Sequence, residues 1–264
     1  MLTEVRNQFK VTFLSIKYAL MRELLNKTTF ITHVLFMLLN NASFIIQWVI
    51  LYSLKDNVGG YTFKQVLLLW GVAAGTYGFA HFFFKRAFSL SNIINEGKLD
   101  SFLVQPKNVL ISVITTEIST PAIGDIIYGY IMVIIFGFTI QNVLLFTLFL
   151  ICGGLMMAGF SVIFSSLSFW FDKSDMIADT ANSLMVNFAT YPDGIFKGVI
   201  KILMFTIIPI GIINYIPVQI MTEFNIFSFL IVIITMIIVV ALSFLIFYRG
   251  LRKYSSGNLM SAKI

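Results

Sequence analysis

Apolar residues along this chain gather into long blocks broken by short charged segments. A helix that crosses a hydrocarbon core about 30 Å thick needs about 20 mostly apolar residues. Six blocks are candidate spans: Phe30–Leu54, Val66–Phe84, Val109–Ile140, Val143–Phe171, Met176–Thr190 and Phe227–Tyr248. The third and fourth are long enough to tilt or to project beyond the bilayer, and the fifth is short. The pattern predicts an all-α polytopic membrane protein with six transmembrane helices.

A further apolar stretch, Val199–Met221, follows the turn signal Tyr191-Pro192-Asp193-Gly194 and is interrupted by Pro209 and Pro217. A straight spanning helix does not fit there, because each proline removes a backbone donor and clashes with the preceding turn. Irregular backbone at membrane depth must be shielded by protein or line a cavity. Residues 191–222 therefore read as short, re-entrant helices on the outer side, with Asn214 and Tyr215 placed to bond their broken ends.

Residues 1–29 show a different period. Val5, Phe9, Phe13, Ile16, Leu20 and Leu24 share one helical face, and Arg6, Lys10 and Lys17 line its edge. This fits an amphipathic helix lying in the cytoplasmic interface, among membrane lipids. A cytoplasmic helix packed on its own protein fits too, and the two readings are compatible. Charges throughout this segment argue against a cleavable signal peptide.

Composition agrees with the blocks: 58% of the 264 residues are hydrophobic and only 11% charged. Such a chain cannot cover a water-facing surface, which excludes a soluble enzyme, a disordered tail and a nucleic-acid-binding module. The net charge of +6 is a matter of topology rather than nucleic acid. Segments 1–29, 85–108, 172–175 and 249–264 hold 5, 4, 1 and 4 of the 18 basic residues, and Lys55, Lys64, Lys197 and Lys201 are the rest. Basic residues accumulate on the cytoplasmic side. The bias predicts a cell-membrane protein with both termini and the 85–108 loop in the cytoplasm.

Candidate chemistry is sparse. Two His and Cys152 alone supply neither a disulfide nor a metal-ligand set, and Cys152 reads as a small buried hydrophobe. Glu117 and Asp125 flank Pro121 inside the third block; they form either a polar patch on a transport pathway or part of a surface segment preceding the true span. His33 and His81, with Asn40, Asn41 and Gln47, allow interhelical hydrogen bonding or a proton relay. Asp172, Lys173, Asp175 and Asp179 read as a solvated turn. Gly71 with Gly75, and Gly154 with Ala158, make small faces for close helix packing. No G-x-x-x-x-G-K-[ST] loop is present, so any ATPase would be another chain.

The loop Asn92-Ile-Ile-Asn-Glu-Gly-Lys-Leu-Asp-Ser-Phe-Leu-Val-Gln-Pro106, with its Gly-x-Leu-Asp and Leu-x-x-Pro after the second block, resembles the membrane subunit of a type-2 ABC exporter of the short six-span branch. Phe169-Trp170 and the series Tyr191-Pro192, Pro209, Asn214-Tyr215, Pro217 resemble the same branch in order and spacing. The chain departs from it at Asp193-Gly194, where an apolar pair is more usual. The resemblance implies a permease without catalytic residues, paired with a second copy or a related permease and docked to two ATP-binding cassette subunits. ATP and Mg²⁺ would bind those partners, and this chain would bind no cofactor. It also implies a coupling segment at Asn95, Glu96, Gly97, Lys98, Leu99 and Asp100, with Leu99 seated in the partner's cleft and the charges fixing orientation. Other readings are a proton-coupled carrier or channel using His33 and His81, and a membrane-embedded enzyme acting on lipids with Glu117 and Asp125 as acid and base.

Overall fold

The computed structural model describes residues 2–171 and 174–255. Among them every regular element is helical, apart from an isolated bridge between Val58 and Tyr61. Helix α1 is Leu2–Glu23, α2 Lys27–Leu54 and α3 Phe63–Phe84; a 3₁₀ turn at Lys85–Ser89 continues α3 into α4, Leu90–Asn95. Short helices α5, Asp100–Leu103, and α6, Val109–Ile114, precede α7, Pro121–Gly137, and α8, Ile140–Ser165. Then come α9, Asp175–Ala189, α10, Val199–Phe205, α11, Ile216–Thr222, and α12, Ile226–Leu251.

Four of these are long and apolar enough to cross a membrane: Lys27–Leu54, Phe63–Asn95, Ile140–Phe169 and Ile226–Leu251. They correspond to the first, second, fourth and sixth predicted blocks. Local chemistry sets their starts: the Asn26 side chain accepts from the Thr29 amide, Thr62 and Gln65 form a capping box, and Thr139 and Asn225 accept from the first-turn amides of α8 and α12. The third block is not one helix, which corrects the expectation of a continuous Val109–Ile140. Its helix ends at Ile114, the polar stretch Thr115–Thr120 leaves the helical path, and Pro121 starts α7 at a position where its missing N–H costs nothing. Helix α7 is apolar but has 17 residues, and the fifth block is the 15-residue α9. Asp172 and Lys173 lie outside the described residues, as do residues 256–264.

Helix α3 is the centre of the fold, with Val66 through Thr76 buried. Glycines let α7 approach it closely: a Cβ on Gly129 would stand 2.8 Å from the Gly71 carbonyl, and one on Gly71 would stand 2.8 Å from the Met132 Cβ. Gly154 of α8 meets the Phe79 ring of α3 in the same manner. By contrast α2 and α12 present long apolar faces outward, among them Phe36, Leu39 and Ile50, and Ile234, Ile237 and Leu242.

Helix α1 lies along the chain's own 108–120 segment. Gln8 accepts from the Asn108 amide at 3.0 Å, the Ser15 hydroxyl donates to the Thr115 carbonyl at 3.1 Å, and Glu23 accepts from the Thr120 hydroxyl at 2.9 Å. Ala19 is buried on that face, whereas Phe9, Phe13 and Tyr18 remain exposed beside Lys10 and Lys17. The helix therefore packs on its own protein while keeping an aromatic face free.

Between α9 and α12 the chain makes the short helices that the prolines require. The stretch Ile208–Tyr215 is buried, so its broken backbone is enclosed by protein. Asn214 and Tyr215 bond the end of α9 rather than their own broken ends. The Tyr215 hydroxyl stands 2.5 Å from the Phe188 carbonyl and 3.0 Å from that of Tyr191, and Asn214 Nδ2 donates to Ala189 at 3.4 Å. These satisfy carbonyls that a helix C-terminus leaves open.

Candidate functional site

Two regions hold the polar groups that the hydrophobic pattern does not explain: the segment after α3, and a cavity among α2, α3, α7 and α9.

In the first, α4 ends in a Schellman turn. Lys98 donates to the Ile93 carbonyl at 3.0 Å and Gly97 to that of Ile94 at 3.2 Å, with Gly97 at φ +70°, a region that suits glycine. The turn holds Asn95, Glu96 and Lys98 on the exposed surface, where Glu96 and Lys98 form an ion pair with each other. Leu99 turns the other way. It is fully buried in a cluster with Leu90, Ile94, Leu110, Val162 of α8 and Phe247 of α12. This corrects the expectation that Leu99 seats in a partner's cleft: its side chain is consumed inside its own chain, where it fastens the turn to two long helices. The apolar surface that the loop does expose is at Leu103 and Val104. Asp100 lies against Tyr254, and burial together with that carboxylate pushes the Tyr254 hydroxyl up to about 12.

Glu117 belongs to this region as well. Arg86 donates to it, and Lys85 Nζ stands 3.9 Å away, so the basic start of the loop is neutralised by the polar break before α7. Phe169, half of the Phe169-Trp170 pair, packs edge-on against Phe247 and Tyr254 and fills the space beside Gly250, closing the end of α8 on that of α12.

The second region is a cavity of about 410 Å³. Asp125 of α7, 4% exposed, accepts a 2.6 Å hydrogen bond from Asn41 Nδ2 through Oδ1, while Oδ2 has no donor among the described residues. Asn41 is fourteen residues along α2 from Lys27, about 21 Å at helical rise. Asp125 therefore faces the middle of α2 rather than its end. Phe44, Trp48, Trp70, Tyr77 and Tyr191 supply aromatic wall, and Asn40, Gln47, Asn187 and Asn214 add amides. At one end of the cavity Tyr191 leads into the 191–195 turn. Here Gly194 approaches the Gly59 carbonyl so closely that a Cβ could not fit, and Asp193 pairs with Lys201 at 2.8 Å. These contacts account for the departure at Asp193-Gly194.

Glu117 and Asp125 do not come together: one is bound to Arg86 and the other to Asn41. Glu117 and Asp125 therefore form no acid and base pair, and the lipid-enzyme reading loses the two groups it named. His33 is exposed on α2, and His81 is stacked between Tyr77 and Phe88 with ring centroids 3.9 Å away on each side. No hydrogen bond joins the two His among the described residues. Nor do three His, Cys, Asp or Glu side chains come together there as a metal would require.

Sequence reasoning missed Trp70, Tyr77 and Asn187 as parts of one cavity, and Arg86 as the partner of Glu117. A polar residue inside an apolar block was the available signal for Asn187 and Asn41. Nothing in either block says that Asn41 faces Asp125.

A family model described as ABC-2 family transporter protein matches residues 38–257, which take in the cavity lining apart from Met37 and the whole 85–108 segment. No curated protein and no solved structure gives a significant match. With apolar spans, a folded loop after the second of them, and a family match over most of its length, the chain belongs to the ABC-2 transporter family, as the membrane permease subunit of a type-2 ABC transporter.

Proposed function

We propose that this permease is half of an ATP-driven exporter, working as a dimer with a second copy or a related chain, and driven by two cassette ATPase subunits that carry ATP and Mg²⁺. Six spans are read as α2, α3, α7, α8, α9 and α12, with 191–222 re-entrant on the outer side. Both termini, α1 and the 85–108 segment are read as cytoplasmic from the distribution of Lys and Arg in a cell (inner or plasma) membrane.

The observation that carries this reading is the continuity of α3 with the loop. The helical path from Phe63 to Asn95 runs from the cavity wall at Trp70, Ala73, Ala74 and Tyr77 to the turn that exposes Glu96 and Lys98. Leu99 bolts the same turn to α8 and α12. A partner that moves Asn95, Glu96, Gly97, Lys98 and Asp100 would move these helices as rigid bodies and reshape the cavity. Leu99 enters the coupling segment as the internal fastener, not the docking residue.

Co-expression with a cassette ATPase, purification and reconstitution into vesicles tests the reading. ATP should drive solute out of the cytoplasmic compartment only when both chains are present. Solute flux by the permease alone, without nucleotide, would instead fit a channel or carrier.

A further inference from the structure

We infer that the cavity receives the cationic head of an amphiphilic cargo, a protonated amine or quaternary ammonium, with Asp125 as its counter-ion. This rests on reading the cavity as the transport pathway. Asp125 is the single charged residue among the side chains that line it; no Lys, Arg or His is there to neutralise it. Its Oδ2 is buried and takes no hydrogen bond among the described residues, and Asn214 Oδ1 is a second buried acceptor without a donor. A carboxylate with one free oxygen and a lone amide oxygen, against one unpartnered donor at Trp70 Nε1, make the cavity electronegative in a setting where burying an unmatched charge is costly.

The walls have the matching chemistry. Phe44, Trp48, Trp70, Tyr77 and Tyr191 make the lining strongly aromatic, with Trp70 stacked on Phe44 at 4.6 Å, and aromatic rings attract cations. An anionic head would meet Asp125 unfavourably, and a neutral head would leave its charge unmatched. A divalent metal would find a single carboxylate there, with no second Asp, Glu, His or Cys among the lining side chains to balance its charge. A proton could neutralise Asp125 but would make no use of the aromatic walls or of 410 Å³ of space.

The test uses the full transporter, permease with its ATPase, in lipid nanodiscs, with radiolabelled tetraphenylphosphonium as probe and tetraphenylborate as its anionic counterpart. The cation should bind saturably and the anion should not. Asp125→Asn should weaken cation binding about tenfold or more, and Asn40→Lys, which places a resident ammonium on the cavity wall from an exposed position, should do the same while Asn40→Gln does not. The Lys variant keeps the test decisive if Asp125→Asn fails to fold. Equal binding of both probes, or undiminished cation binding in Asp125→Asn or Asn40→Lys, overturns the inference about charge and leaves the pathway intact. If Asn40→Trp, which adds bulk to the cavity wall, leaves ATP-driven transport of the phosphonium unchanged, the pathway reading itself fails and the inference falls with it.

Discussion

Asn41 and Asp125, 84 positions apart in the chain, are joined by a 2.6 Å hydrogen bond across the α2–α7 contact. A carboxylate in an apolar bundle is tolerable when a donor meets it, and Asn41 supplies the one donor it has among the described residues. Asn41→Leu should lower the unfolding free energy by about 1–3 kcal/mol, because it strands the carboxylate. In Asn41→Leu/Asp125→Leu the loss should be smaller than the sum of the two single losses. Thermal unfolding of all three variants checks this; strict additivity would mean the bond contributes nothing.

The Schellman turn at Gly97 sets a second expectation. Alanine at φ +70° should cost about 1 kcal/mol, and local opening of α4–α5 should rise accordingly. Hydrogen exchange at the Gly97 and Lys98 amides reads it directly, with protection unchanged elsewhere in the bundle.

Leu99→Ala empties a fully buried position at the meeting of α4, α6, α8 and α12, so it should destabilise by about 2–5 kcal/mol. A docking residue on the surface would behave differently, weakening ATPase capture without moving the melting temperature. Unchanged stability in Leu99→Ala would return Leu99 to the docking role.

Glu96 and Lys98 are both exposed, and their mutual ion pair is worth about 1 kcal/mol or less. Exchanging them, Glu96→Lys with Lys98→Glu, should leave stability unchanged. It should weaken association with the ATPase subunit in a salt-dependent way, since the order of charges presented to the partner is inverted. Co-purification at low and high salt measures this, and equal yields of complex would remove these residues from the contact.

Gly194→Ala drives a Cβ into the Gly59 carbonyl, a backbone atom that cannot swing aside, and Gly59 itself sits at φ +59°. The 191–195 turn should shift and the melting temperature should fall, whereas Gly60→Ala, with open space around it but φ +87°, should cost about 1 kcal/mol from backbone strain alone. Equal effects of the two would mean the Gly59–Gly194 approach is not tight.

Hydrophobic blocks and prolines made most of the helices legible, because burial in lipid or core leaves a mark on every residue of a long segment. Thr115–Thr120 interrupts the third block for reasons that are also local: hydroxyl side chains followed by Pro121. Pairings across the fold left no such mark. Asn41 is an ordinary polar residue in an apolar helix until α7 brings Asp125 to it, and Glu117 looks like a companion of Asp125 until Arg86 takes it. Leu99 was misread because a leucine in a charged loop has the same composition whether it faces a partner or its own core. The direction was decided by Gly97, whose left-handed backbone turns the chain inward at the next residues.

In the proposed coupling, force applied to the 95–100 turn opens and closes the cavity. The most direct measurement of this coupling is ATP hydrolysis against transport in vesicles holding the permease and its ATPase, comparing the wild type with Leu99→Ala. The variant should still bind the ATPase through its intact charged surface and still hydrolyse ATP, but should move little solute per ATP because the bolt to α8 and α12 is gone. Wild-type transport per ATP in that variant would contradict it.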